Sequence, residues 1–141
     1  MKKRKAQAKW NGNLKKGNGL IKLPTSNQEF PFNFSSRFED GKGSNPEELI
    51  AAAHAGCFSM AFSGLLTEKG YNPELIETKA EVTIEKVGDG FKITKSALDT
   101  EGKIPEIKED EFLKLAQTAK ENCPVSQALD SLEITLNAKL V

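Results

Sequence analysis

The stretch Leu49–Leu66, LIAAAHAGCFSMAFSGLL, limits most tightly what this chain can fold into. Its length approaches a membrane span, but Ala, Gly and Ser dominate it and His54 interrupts it. A helix that is apolar nearly all round belongs buried in the centre of a fold. Its start is well marked. Asn45 is a good N-cap, Pro46 suits the first helical position, and Glu48 stands at the capping-box position. Gly70 offers the stop, so the spacing predicts a central helix over residues 46–69.

The segments around it read mainly as strands. Ala6–Trp10, Gly19–Leu23 and Glu29–Phe34 are short apolar pieces joined by Asn11-Gly12 and Gly17-Asn18-Gly19 turns. Phe30, Phe32 and Phe34 alternate, which puts them on one face of a strand, and Ser35–Ser44 reads as a polar loop. Alternation over Ile76–Val87, a Gly88-Asp89-Gly90 turn and Phe91 and Ile93 beyond it predict a β-hairpin. Phe112, Leu115, Ala116 and Ala119 have the spacing of an amphipathic helix over Glu109–Glu121, which Asn122-Cys123-Pro124 breaks. One or two further turns follow, and then Leu132–Leu140 alternates as a last strand. The class is α+β, and 141 residues suit a single domain over 1–141.

Charge and cysteine content narrow the function. Twenty basic and twenty acidic side chains cancel, so a global pull toward nucleic acid or an anionic membrane is not expected. Seven Lys or Arg without an acid lie in Lys2–Lys16, which reads as a solvated strand edge. The N-terminal segment carries no apolar run of the signal-peptide kind, and the expected compartment is the cytoplasm, where thiols stay reduced. Two cysteines exclude a disulfide scaffold, and one histidine excludes any site that needs two. Zinc on Cys57, His54 and Cys123 would be one ligand short of a closed structural site, so no metal is expected.

Each residue with chemistry to offer has two readings. Cys57, midway along the central helix, is either a small core residue or a nucleophile. Cys123 precedes Pro124 at the N-cap of a short helix, where the helix dipole favours a thiolate. On physics alone Cys123 is the better thiolate, because burial raises the pKa of Cys57 unless a cation compensates. Arg37 is one of only two arginines beside eighteen lysines, and a guanidinium stays charged when buried. It either pairs with Glu39 or Asp40 at the surface or serves a site. Glu48, besides its capping role, is the expected carboxylate for orienting Arg37, with Glu47 facing solvent. His54 is either packed against a carbonyl or paired with Cys57 for acyl transfer. Phe30, Phe32, Phe34 and Phe38 are either core or the walls of an apolar pocket whose polar feature is Arg37.

Three separated motifs resemble one family. Asn45-Pro46-Glu47-Glu48-Leu49 through His54-Ala55-Gly56-Cys57-Phe58-Ser59-Met60 is similar to the central-helix signature of the OsmC/Ohr thiol peroxidases. Cys123-Pro124-Val125-Ser126-Gln127 resembles their second-cysteine motif, and Arg37-Phe38-Glu39 their arginine loop, in the form of the OsmC branch. Gly56 stands where Ala is more usual. The resemblance implies an OsmC-like fold in an intertwined homodimer and reduction of organic hydroperoxides in stress defence, with weaker action on hydrogen peroxide. It implies a peroxidatic Cys57, a resolving Cys123 that forms a disulfide with it, and an Arg37 held by Glu48. It further implies a lipoyl-type dithiol as reductant and no cofactor.

Spacing adds one argument. Glu48 and Cys57 are nine residues apart, so on a straight helix they face opposite sides, about 13 Å apart along the axis. In the intertwined homodimer that the resemblance implies, Arg37 and Glu48 of one chain are then expected to complete the site around Cys57 and Cys123 of the other. The competing class is a non-catalytic protein that binds an apolar ligand in the phenylalanine pocket.

Overall fold

The computed structural model describes Met1–Val141 as two units, Met1–Leu49 and Ile50–Val141. In the first, β1 (Gln7–Asn11), β2 (Asn18–Leu23) and β3 (Gln28–Phe32) form an antiparallel meander. Gly19 lies opposite both Trp10 and Phe32, and a Cβ there would meet the Phe32 ring at 2.4 Å. That glycine lets the two aromatic rings approach, with centroids 5.4 Å apart.

The third strand stops two residues short of the expected Phe34. Asn33 instead caps a short helix, α1 (Phe34–Phe38), in place of the first part of the expected loop. The cause is a capping box. Oδ1 of Asn33 accepts from the Ser36 N–H at 2.8 Å, and Oγ of Ser36 accepts from the Asn33 N–H at 3.0 Å. Phe34 therefore leaves the strand face of Phe30 and Phe32 and stacks with Phe38 one helical turn on, 5.1 Å between centroids.

The central helix, α2 (Pro46–Glu68), begins and ends where its signals stand. Oδ1 of Asn45 accepts from the Glu48 N–H at 2.8 Å. At the other end Gly70 has φ +85°, and the N–H groups of Tyr71 and Gly70 reach the carbonyls of Leu66 and Thr67, both at 3.0 Å. These two bonds are a Schellman motif, which needs the left-handed residue that glycine supplies.

The expectation that this helix is buried on every side needs correction. His54, Phe58, Phe62 and Leu66, spaced four apart, are buried. Ala52, Ala53, Gly56, Met60 and Gly64 occupy the opposite face and are exposed, Met60 at 79%. The Ile50–Val141 unit buries only the His54, Phe58, Phe62 and Leu66 face, and the other face of α2 stays exposed.

In the second unit β4 (Leu75–Val87) and β5 (Gly90–Lys103) form the long hairpin, and β6 (Glu133–Leu140) joins β5 in parallel. Ser96, Leu98, Thr100 and Gly102 alternate inward along β5. The parallel crossover is made by α3 (Glu109–Asn122) and α4 (Pro124–Ala128). Phe58, Phe62, Leu66, Leu98, Phe112, Leu115, Ala116 and Ala119 form the core together with Cys123. Phe62 stands between Phe58 and Phe112, at 5.7 and 5.2 Å between ring centroids.

Candidate active site

Cys57 and Cys123 meet, although 66 residues separate them. Both are free thiols, Cys57 half-buried and Cys123 fully buried, and they lie close enough for each to shift the other's pKa. Cys57 stands next to Phe58 and one turn before Ala61, at the border between the buried and the exposed faces of α2. Cys123 is the residue at which α3 ends and α4 begins. Its N–H bonds the Ala119 carbonyl at 2.9 Å and its carbonyl accepts from Gln127 at 3.0 Å.

The two thiols have different electrostatics. Burial raises the pKa of Cys57 and the hydrogen bond with Cys123 raises it further, against a smaller pull from the Val125 amide. Burial also pushes Cys123 up. Hydrogen bonds from Cys57, from the amide and hydroxyl of Ser126 and from the Val125 amide outweigh it, and the Cys123 pKa falls below the usual thiol range. Cys123 is thus the more acidic thiol, as its helix-start position implies, and no cation of the Ile50–Val141 unit acts on Cys57.

His54 does not face Cys57. Its Nδ1 meets Oγ of Ser96 at 2.7 Å and its Nε2 meets Oγ of Ser126 at 2.8 Å. The expected partner was a carbonyl, and two hydroxyls take its place. All three side chains are buried, and burial lowers the His54 pKa, so the ring is neutral near pH 7. With both nitrogens engaged, His54 is neither the base for a Cys57 acyl-transfer site nor a zinc ligand. No group of three or more His, Cys, Asp or Glu side chains is placed to hold a metal.

In the first unit, the carboxylate that Arg37 meets is Glu47, not Glu48. Nη2 and Nε of Arg37 donate to Oε1 of Glu47 at 2.9 and 3.3 Å. Glu47 is 6% exposed, whereas Glu48 is exposed, its backbone N–H held by Asn45. Capping explains the exchange. The Asn45 bond fixes the first turn of α2 so that position 48 faces solvent and position 47 turns to α1. Only Oε1 of Glu47 is used, and its buried Oε2 has no partner within the chain.

The Arg37 guanidinium lies 5.2 Å from the centroid of the Phe38 ring. A cavity of about 210 Å³ beside it is lined by Trp10, Leu14, Phe32, Phe34 and Phe38. Phe30 does not line it and pairs with Ile21 in the sheet. Sequence reasoning missed Trp10 and Leu14 as lining residues. The Asn11-Gly12 signal that turns β1 back on itself was the available clue.

Comparison with known proteins identifies the family and the fold. A family model described as OsmC-like protein matches residues 39–139. Peroxiredoxin OsmC of Escherichia coli is 49% identical over 139 residues, covering 97% of this chain and 96% of that protein. Organic hydroperoxide resistance protein-like 1 of Staphylococcus epidermidis is 31% identical, covering 72% of this chain and 74% of its own. Among solved structures, an organic hydroperoxide resistance protein OsmC from Legionella pneumophila matches the fold with TM-score 0.74 at 24% identity, covering 97% of each chain. With its two cysteines in contact and most of its length matched, this chain belongs to the OsmC-like protein family.

Proposed function

We propose that this chain is a thiol peroxidase that reduces organic hydroperoxides in a homodimer, with Cys57 as the peroxidatic and Cys123 as the resolving residue. The observation that carries the reading is the contact between two free thiols at the edge of an uncovered helix face. The relatives named as a peroxiredoxin and as organic hydroperoxide resistance proteins support it.

The chemistry runs in three steps. The Cys57 thiolate attacks the terminal peroxide oxygen, the O–O bond breaks, an alcohol leaves with a proton, and Cys57 becomes a sulfenic acid. Cys123 then attacks the Cys57 sulfur, and water leaves as the disulfide forms. An external dithiol of the lipoyl type returns both cysteines to thiols by exchange. The reading sets this cycle in the cytoplasm, which supplies reduced dithiols.

Arg37 and Glu47 of one copy complete the site around the cysteines of the other, both units acting as one domain. Three features support this. Cys57 has no cation beside it in its own unit. Oε2 of Glu47 is buried without a donor, a cost of about 1–3 kcal/mol that a second copy can remove. Cys57 adjoins the uncovered Ala53, Gly56, Met60 and Gly64 face of α2, whose small residues allow close approach of another helix. The cavity walled by Phe32, Phe34 and Phe38 beside Arg37 suits the apolar part of an organic hydroperoxide.

Mixing a Cys57→Ser chain with an Arg37→Ala chain tests the sharing. Heterodimers carry one intact site, so activity above both parents is expected. Mixtures no better than the parents overturn it.

A further inference from the structure

We infer that His54 is a positioning residue for disulfide formation, holding the helix that starts at Cys123 against the helix that carries Cys57 through its bond to Ser126. The inference rests on the peroxidase reading for the step it serves.

The observation is a matched spacing. On α2, His54 stands three residues before Cys57, and on α4, Ser126 stands three residues after Cys123. Three residues are nearly one helical turn, a rise of about 4.5 Å. Nε2 of His54 meets Oγ of Ser126 at 2.8 Å. The two helices are thus tied by one side-chain bond, one turn from each cysteine. Cys57 packs against the core cluster that holds Cys123.

Little else directs α4. It is five residues long, far below the length at which a helix holds alone. No side chain caps its start, and Ser126 is its one buried residue. Val125 is partly buried against the core. A short helix ordinarily docks by an apolar face, but the side chain that α4 buries is a hydroxyl. At Cys123 the backbone is held from both sides. Its N–H donates to the Ala119 carbonyl at 2.9 Å, and its carbonyl accepts from the Gln127 N–H at 3.0 Å. The first bond belongs to α3 and the second to α4. The setting of α4 therefore reaches Cys123 through the backbone, without a bond between the Ser126 and Cys123 side chains.

His54 is itself fixed. Its Nδ1 meets Oγ of Ser96 on β5 at 2.7 Å, and His54, Ser96 and Ser126 are 0%, 0% and 4% exposed. With both nitrogens engaged, the imidazole has one orientation open to it. The sheet sets the ring, and the ring sets α4. An apolar trio would fill the same space at lower desolvation cost but would fix no direction.

Direction matters for the bond to be made. A disulfide joins Cα atoms about 4.4–6.8 Å apart with a central dihedral of about 90°. The Cys123 sulfur displaces the sulfenic oxygen, so the S–S bond forms as the Cys57 S–O bond breaks. The Cys57 sulfur is reduced and the Cys123 sulfur oxidised. The oxygen leaves as water with its own proton and that of the Cys123 thiol. No proton passes through His54. Its effect is on how often the Cys123 sulfur stands in line for attack.

Two amides at position 54 separate the two bonds of the ring. Glutamine places its terminal amide where Nε2 stands and reaches Ser126. Asparagine places its own where Nδ1 stands and reaches Ser96 only. After mixing with an aryl hydroperoxide, the peroxide-independent phase reports disulfide formation. A second readout needs no peroxide: the equilibrium between the two thiols and the Cys57–Cys123 disulfide in dithiothreitol buffers. His54→Asn and Ser126→Ala are each expected to slow the phase and shift the equilibrium toward thiols by about five- to tenfold, the worth of one hydrogen bond. His54→Gln is expected within about twofold of the parent. A chain with both His54→Asn and Ser126→Ala is expected to lose no more than either alone, since both remove the same tie. A merely structural trio lowers the denaturation midpoint in the single variants and leaves the cysteine equilibrium where it was. That result, or losses that multiply in the double variant, would overturn the inference. A parent protein without a peroxide-independent phase would instead count against the peroxidase reading, and the dithiothreitol equilibrium would still decide for or against the positioning role.

Discussion

Replacing Glu47 by Gln removes one charge from the site with little change of shape. Its neighbour Glu48 gives a matched comparison. The Glu47 side chain is 7% exposed and that of Arg37 37% exposed, and both bonds between them converge on Oε1. Gln still offers an oxygen to Arg37. The bond loses the carboxylate's charge but keeps that of Arg37, so the loss is a part of the roughly 1.5–3 kcal/mol of a bond to a charged group. Its amide nitrogen also falls where Oε2 has no partner within the chain, adding part of an unpaired-donor cost of about 1–3 kcal/mol. Solvent around Arg37 trims the first figure. The sum is about 1–3 kcal/mol against the arrangement that presents Arg37, or about five- to 160-fold in kcat/KM. The assay is turnover of an aryl hydroperoxide with a lipoyl-type dithiol at limiting peroxide. Glu48→Gln, exposed and bonded only through its backbone, is expected within about twofold of the parent. A large loss in Glu48→Gln with Glu47→Gln unaffected would refute the pairing and the reasoning from it.

Other expectations can be checked separately. Phe62→Ala, emptying a position between Phe58 and Phe112, is expected to cost about 3–5 kcal/mol in denaturant unfolding. A loss under about 1 kcal/mol would contradict the core as described. Gly70→Ala, at φ +85°, is expected to cost about 1–2 kcal/mol, read as a lower denaturation midpoint at an unchanged slope. Burial lowers the His54 pKa from 6.5, so the unfolded chain takes up a proton there before the native one does. That contribution to stability is present above about pH 6.5 and is lost as pH falls toward the lower native value. His54→Gln should therefore flatten the fall in stability between neutral and acid pH, and an unchanged slope would contradict it. Met60→Glu, on the uncovered face of α2, is expected to give a monomer by sedimentation and to lose turnover, and an active dimer would contradict the proposed interface.

The backbone was largely legible. Asn45, Pro46 and Gly70 marked both ends of α2, and the Gly88-Asp89 turn and the alternation from Ile76 onward gave the hairpin, because these signals act within a few residues. The missed helix α1 also had a local signal, Asn33 with Ser36 three residues on, but the alternation of Phe30, Phe32 and Phe34 masked it. The cysteine pair was legible only through the resemblance, since a contact across 66 residues leaves no periodicity behind. Choosing Glu48 over Glu47 was an error of face. Both sit in the first turn of α2, and which one turns inward depends on how Asn45 and α1 seat that turn. The Ser96–His54–Ser126 line joins three elements distant in sequence, so no motif announced it. The apolar length of α2 was read as a wholly buried helix because composition records what prefers to leave water, not whether one chain or two cover it.

The most direct test of the central claim is intact mass with a thiol count after one equivalent of an aryl hydroperoxide. The account predicts a chain two hydrogens lighter with no free thiol, and a peptide map that joins Cys57 to Cys123. Two unchanged thiols, with the hydroperoxide still present, would contradict it.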